Sequence, residues 1–77
     1  MFINFKNMHR CVNLDNFDEI IVTTERYDIH HVIAKRGTMY VENLIIKTFS
    51  SKSDADVFYE VLLNAWISGD RKEYIIE

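Results

Sequence analysis

The spacing of apolar residues changes once along this chain, close to residue 50. Up to that point, short apolar segments rich in β-branched residues alternate with turn-forming residues, which is typical of β-strands. Beyond it, apolar residues recur about every 3.6 positions over residues 54–68, which predicts an amphipathic α-helix. Ser51 or Ser53 is placed to cap the start of this helix, and Gly69 is placed to end it.

The part of the chain before the helix predicts several short strands. Five segments carry the strand pattern: residues 1–5, 9–14, 19–25, 28–35 and 38–49. Apolar residues change parity inside the fifth segment, so a bulge or tight turn is expected at Glu42 and Asn43. The tail, residues 71–77, alternates again and can return as an edge strand.

These elements predict an α+β fold with one domain over residues 1–77. We expect a small antiparallel β-sheet of about four to six short strands, packed on one C-terminal helix at about residues 54–68. A chain of 77 residues buries enough surface for one core only. Its single cysteine, Cys11, is expected to be buried and inert, and it favours a reducing, cytoplasmic compartment. No apolar run approaches the ~20 residues that a membrane-spanning helix needs.

The predicted helix is more apolar than one sheet requires. Its expected core stripe consists of Ala55, Phe58, Val61, Leu62, Ala65 and Trp66. A second row, formed by Tyr59, Leu63 and Ile67, widens the apolar arc to roughly 200°, against the ~100° that one sheet face needs. An apolar surplus of this kind indicates an interface, so Tyr59, Leu63, Trp66 and Ile67 are the candidate contact residues for self-association or a protein partner. The alternative is that the strands curl round the helix and cover both its flanks.

Charge disfavours a nucleic-acid partner without excluding a local binding site. Nine Lys and Arg against twelve Asp and Glu give a formal net charge of −3, the wrong sign for binding that depends on phosphate contacts. The alternative hypothesis is a small nucleic-acid-binding domain that uses Lys6 and Arg10, with Phe2 and Phe5 as stacking platforms.

The adjacent His30 and His31 are the most conspicuous candidates for chemistry. In a strand their side chains point to opposite faces, so they do not converge on one metal ion. Tyr27, Ile29 and Ile33 share a face with His31, which predicts that His31 lies at the edge of the core and that His30 follows the more polar face.

No cofactor, metal site or enzymatic activity is predicted. His9 and Cys11 supply two potential zinc ligands, whereas zinc sites use three or four protein ligands. Gly37 and Gly69 are the only glycines, so the glycine-rich loops that bind nucleotide phosphates are excluded.

Two quoted segments carry a resemblance to a group of proteins. The segments are VNLDNFDEIIV and, after a hairpin, IIKTFSSKSDADVFYEVLLNAWISGD, with a Phe-x-Ser junction at residues 49–51. This order resembles short uncharacterised proteins of Gram-positive bacteria and their phages and mobile elements. The resemblance implies a phage or mobile-element accessory protein that binds another macromolecule and modulates host machinery, and it implies no catalytic residues. The function we expect is therefore a non-enzymatic, homodimeric interaction module.

Overall fold

The structure is a computed structural model that describes residues 1–37 and 42–77. Over these residues the chain forms six β-strands, one α-helix and two short 3-10 helices. The strands are β1 (Phe2–Phe5), β2 (Arg10–Asn13), β3 (Glu19–Arg26), β4 (Ile29–Arg36), β5 (Glu42–Phe49) and β6 (Glu73–Ile76), and the helix is α1 (Lys52–Ser68). The 3-10 helices are Lys6–Met8 and Leu14–Asn16. The predicted α+β fold is confirmed.

The strands form two three-stranded sheets rather than one. The first sheet has the order β2–β1–β6, and the second has the order β3–β4–β5. The predicted final edge strand is present as β6, which pairs parallel to β1, while the other pairings are antiparallel. The chain passes from the first sheet to the second through the turn at Leu14–Asn16, where the Leu14 side chain is fully buried.

The core lies between the two sheets and α1. Its buried apolar side chains form one cluster: Ile3, Phe5, Leu14, Ile20, Val32, Ala34, Ile46, Ala55, Leu62 and Ile76. Both sheets and the helix contribute to this cluster, so each has one face or stripe that is removed from water. Burial of this apolar surface is the main force that holds the three layers together.

Helix α1 begins two residues earlier than predicted, at Lys52. Ser51 is the N-cap, because its side chain accepts a hydrogen bond of 3.4 Å from the Asp54 amide. Gly69 ends the helix with a φ of 68°, a left-handed conformation that glycine adopts without a steric penalty. Val61 was predicted to lie in the core stripe, and this prediction was wrong because Val61 is 50% exposed. Val61 lies about 100° round the helix from the fully buried Leu62.

The bulge or turn predicted at Glu42 and Asn43 was wrong, because these residues pair in regular register with Arg36 and Lys35. The register of β4 against β5 shifts between Val32 and Ile33, so that Ile46 is an extra residue on β5. Leu44 and Ile46 share a parity and both pack in the core, and the bulge brings Phe49, which has the opposite parity, to the core side as well. Residues 38–41 of the predicted strand lie outside the described residues.

The predicted orientation of the two histidines was wrong. His30 is 4% exposed and lies on the core side of β4 with Val32 and Ala34, whereas His31 lies on the opposite side. The error has a physical reason. Both faces of β4 are apolar, so the contrast between an apolar and a polar face, on which a strand's orientation is normally predicted, is missing.

Candidate interaction surfaces

One candidate surface lies on a flank of α1, and we call it the α1 surface. Leu63, Trp66 and Ile67 line a shallow, mostly apolar depression of about 270 Å³. Ile67 is 74% exposed, while Leu63 and Trp66 are half-buried and pack against the core. Three of the four predicted contact residues therefore form one continuous surface. The fourth, Tyr59, is half-buried, packs against the core and does not line the depression.

Trp66 is held in place by a carboxylate from the turn between the sheets. Its indole N–H donates a hydrogen bond of 2.8 Å to Asp15. The terminal ammonium of Met1 donates a second hydrogen bond, of 3.1 Å, to the other oxygen of Asp15. The Trp66 hydrogen bond and, after it, the ammonium favour the ionised carboxylate and lower the pKa of Asp15 below its ordinary value. The indole ring at the α1 surface is therefore fixed in one orientation.

The opposite flank of α1 faces the free edges of the two sheets. Phe58 packs between Phe49 and Tyr74, with ring centroids 5.4 Å and 5.9 Å away. The Lys47 ammonium lies 5.4 Å from the centroid of Phe49, a distance typical of cation–π contacts. This aromatic cluster joins α1 to both β5 and β6, and we interpret it as a structural link.

A second candidate surface is the face of the second sheet that points away from α1, which we call the outer face. Strand pairing places Ile21 opposite Ile33 and Ile33 opposite Ile45, so the three side chains form an isoleucine row across the sheet. Ile45 is 52% exposed. Ile33 is only 7% exposed, yet it does not belong to the core cluster between the sheets and α1. The isoleucine row is therefore an apolar feature separate from the core.

Polar side chains border the isoleucine row on both sides. On one side His31 is paired with Thr23 and Thr48, and its two ring nitrogens lie 2.8 Å from the Thr48 hydroxyl and 3.2 Å from Glu25. On the other side Lys35 is paired with Glu19 and Asn43. The outer face thus has an apolar centre and a glutamate near each end, Glu25 beside His31 and Glu19 beside Lys35.

His30 has a structural environment. One ring nitrogen lies 2.9 Å from the carbonyl oxygen of Tyr27 and the other lies 3.0 Å from the Thr24 hydroxyl. Because a carbonyl only accepts, the first nitrogen carries the proton, and the second can accept from Thr24. Both polar atoms of this buried side chain are satisfied, and together they close the β3–β4 hairpin.

The residues of the alternative nucleic-acid hypothesis lie at one end of the first sheet. Arg10 is paired with Phe5, and Lys6 follows Phe5 directly. Phe5 is 3% exposed and belongs to the core, so its proposed role as a stacking platform was wrong. The Lys6 ammonium lies 3.8 Å from Glu77, and this carboxylate competes with a phosphate for the same charge.

The polar side chains that suggest metal or thiol chemistry are dispersed. Cys11 is exposed, so the expectation of a buried thiol was wrong. Residues 1–37 and 42–77 contain no group of three or more His, Cys, Asp and Glu side chains placed to hold a metal ion. No helix within these ranges has the length and apolar character needed to cross a membrane.

Comparisons with known proteins give no relative from which a role can be transferred. No protein-family model, no curated protein and no solved structure matches the chain. The class of the protein is therefore defined by the fold alone, as a small α+β domain of two three-stranded sheets and one helix.

The outer face is the feature that the sequence interpretation missed. Each strand of the second sheet contains three consecutive apolar residues, at positions 20–22, 32–34 and 44–46. An antiparallel strand with one wet face normally alternates apolar and polar residues, whereas strands covered on both faces are apolar throughout. Those three triplets were the available signal that the second sheet has two faces to cover.

Proposed function

We propose that this protein is a non-enzymatic interaction module that binds a protein partner through the α1 surface and works as a homodimer. The single observation that carries the proposal is the exposure of Ile67 beside Leu63 and Trp66 on α1. An exposed, continuous apolar surface on a small domain is the usual mark of a protein contact.

The make-up of the α1 surface supports a specific contact rather than nonspecific adhesion. The hydrogen bond to Asp15 holds the Trp66 side chain in one orientation. Binding of a partner therefore does not cost the conformational entropy of ordering this side chain. Tryptophan in a partly enclosed apolar site is among the residues that contribute most to binding energy at interfaces. We infer that the partner supplies an apolar side chain that fills the depression.

The resemblance to short proteins of phages and mobile elements favours a partner in the host's own machinery. A 77-residue domain without a predicted catalytic site acts most simply by occupying a surface that another protein needs. We therefore propose that the module modulates its partner by occlusion.

The test is site-specific photo-crosslinking in the native host. A photo-reactive residue at position 67 should crosslink to a discrete protein, whereas the same residue at position 64 is the matched control, because Asn64 is an exposed polar residue of α1. With the captured protein purified, Ile67→Asp should weaken binding about tenfold or more, and Asn64→Asp should leave it nearly unchanged. Equal crosslinking from both positions, or equal affinity of both variants, would contradict the proposal.

The alternative proposal is a small nucleic-acid-binding domain that uses Lys6 and Arg10. It requires binding to single-stranded nucleic acid that weakens steeply with salt and that is lost in the Lys6→Ala, Arg10→Ala double variant. A titration at low salt that detects no binding removes this alternative.

A further inference from the structure

We propose that Thr48 is an acyl-acceptor site, a hydroxyl that His31 and Glu25 activate toward an uncharged acyl donor such as an ester or a thioester. This inference goes beyond the proposed function, because it concerns the outer face rather than the α1 surface. It assigns a stoichiometric covalent modification of the chain rather than catalytic turnover.

A hydroxyl, an imidazole and a carboxylate follow one another on the outer face. The Nδ1 atom of His31 lies 2.8 Å from the Thr48 hydroxyl, and its Nε2 atom lies 3.2 Å from Glu25. A carboxylate accepts hydrogen bonds and does not donate them, so Nε2 carries the proton of the neutral ring. Nδ1 is then an acceptor, and the Thr48 hydroxyl donates to it. A nucleophile, a base and an orienting carboxylate in this order activate a hydroxyl for acyl transfer.

A second threonine–histidine pair has a carbonyl in the place of the carboxylate. The Thr24 hydroxyl lies 3.0 Å from one ring nitrogen of His30, and the other nitrogen meets the carbonyl oxygen of Tyr27. His30 is 4% exposed, so the positive charge that it gains as a base would be buried, which is costly. The His31 side chain is 18% exposed, and the adjacent Glu25 stabilises the same charge. The pair on the outer face is therefore the reactive one.

Thr48 is accessible to a donor from solvent. It is exposed and lies on β5, which is an edge strand of the second sheet. In the acyl transfer, the Oγ1 atom of Thr48 forms a bond to the acyl carbon while its proton passes to Nδ1 of His31. The bond from the acyl carbon to the leaving oxygen or sulfur breaks, and the leaving group departs with the electron pair. It takes up the proton from His31, so the products are an ester on Thr48 and a neutral imidazole.

The isoleucine row indicates which acyl group is favoured. His31 and Ile33 are two residues apart on β4, so the polar row with Thr48 and the isoleucine row lie roughly 7 Å apart. Ile45, on the same strand as Thr48, is 52% exposed. A hexanoyl chain on Thr48 is long enough to cover Ile45, whereas an acetyl group is not. Because Glu25 repels anionic donors, we infer that the donor is uncharged and carries an apolar chain.

The test is incubation of the full chain with p-nitrophenyl hexanoate, followed by intact-mass measurement and peptide mapping. Wild type should gain a hexanoyl ester on Thr48, which alkaline hydroxylamine removes, whereas amides on lysines resist this treatment. Thr48→Val should abolish the ester. His31→Gln should lower the rate at least tenfold, because the general base is lost. Thr24→Val is the matched control from the other threonine–histidine pair, and it should be acylated on Thr48 as fast as wild type.

Two further comparisons test the carboxylate and the isoleucine row. Glu25 acts through His31 and is therefore a positioning residue. Glu25→Gln should slow acylation about threefold or more, Glu25→Asp should recover part of the rate because it keeps a carboxylate, and Glu19→Gln, near the other end of the outer face, should have no effect. With each rate divided by that donor's rate with free imidazole, p-nitrophenyl acetate should react at least threefold more slowly than the hexanoate. Ile45→Ser should remove this difference.

The inference is overturned if folded wild type gains no ester on Thr48, or if the acyl group is found only on lysines and the terminal amine. It is also overturned if His31→Gln, shown to be folded by circular dichroism, is acylated as fast as wild type. Equal normalised rates for the acetate and the hexanoate would overturn the assignment of an apolar acyl group.

Discussion

The two sheets turn similar apolar faces toward the core but very different faces away from it. In the first sheet, Ile3 and Phe5 point inward, and the other side of β1 carries Asn4, whose amide donates a 3.2 Å hydrogen bond to Glu73 on β6. In the second sheet, the side away from α1 carries the isoleucine row. One sheet alternates apolar and polar residues, and the other does not.

The outward faces of the two sheets differ in what surrounds their exposed apolar residues. Phe2 and Ile75 are exposed on the first sheet, but each has polar neighbours: Phe2 is paired with Asn13 and Glu73, and Ile75 is paired with Asn4. Single exposed apolar residues of this kind are normal on protein surfaces and need no partner. The isoleucine row differs, because its members are direct neighbours across three strands; Ile33 at its centre is 7% exposed and Ile45 is 52% exposed.

The largest expected effect is the difference in free energy of unfolding between substitutions on the core side of a sheet and on the outer face. Ile3→Ala should lower the free energy of unfolding by about 2–5 kcal/mol, because a fully buried side chain leaves a cavity. Ile45→Ala should cost less than about 1 kcal/mol, because Ile45 is 52% exposed in the folded chain. Urea denaturation at low protein concentration measures both. A large loss for Ile45→Ala under these conditions would show that the outer face is already covered in one copy.

A smaller effect should distinguish the two histidines. His30→Leu removes the partners of the Tyr27 carbonyl and the Thr24 hydroxyl, so we expect a loss of about 1–3 kcal/mol. His31→Leu should change stability by less than about 1 kcal/mol, since its contacts with Glu25 and Thr48 are at the surface. Thermal or urea unfolding of the two variants decides the order. The reverse order would mean that His31 is the histidine on the core side of β4.

The smallest expected effect concerns Asp15, which links the turn between the sheets to Trp66. Its pKa is lowered in the folded protein, so its contribution to stability is present above the ordinary carboxyl pKa and is lost as pH falls through the lowered value. In Asp15→Asn the free energy of unfolding should therefore fall less steeply as the pH is lowered into the acid range. Its dependence on pH near neutrality should be unchanged. The measurement is the urea midpoint as a function of pH. If Asp15→Asn and wild type lost stability equally at acid pH, the stabilising hydrogen bond between Asp15 and Trp66 would be contradicted.

Much of the fold could be predicted from local pattern. The helix with its Ser51 cap and Gly69 end, the β-branched strand β3 and the return of β6 all follow from rules that act within a few residues. The division into two sheets and the parallel pairing of β6 depend on contacts between distant segments, which local pattern does not encode. The bulge predicted at Glu42 and Asn43 was wrong, and the bulge at Ile46 was not predicted.

The candidate surfaces were predicted in part. The apolar arc of α1 placed Leu63, Trp66 and Ile67 next to one another, as they are in the depression, because helical periodicity fixes which side chains are neighbours. Their role in a contact stays a prediction. It did not show that Tyr59 is used by the core. The outer face was missed because the face of β4 with Tyr27, Ile29 and Ile33 was assigned to the core. In a strand that is apolar on both sides, sequence alone does not say which side meets α1.

The most direct test of the central claim compares photo-crosslinking in the native host from position 67 on the α1 surface with crosslinking from position 45 on the outer face. Ile67 and Ile45 are both exposed isoleucines, so the two positions differ mainly in the surface to which they belong. We predict a discrete crosslinked protein from position 67 and none from position 45. A discrete product from position 45 alone would contradict the assignment of the α1 surface as the contact site.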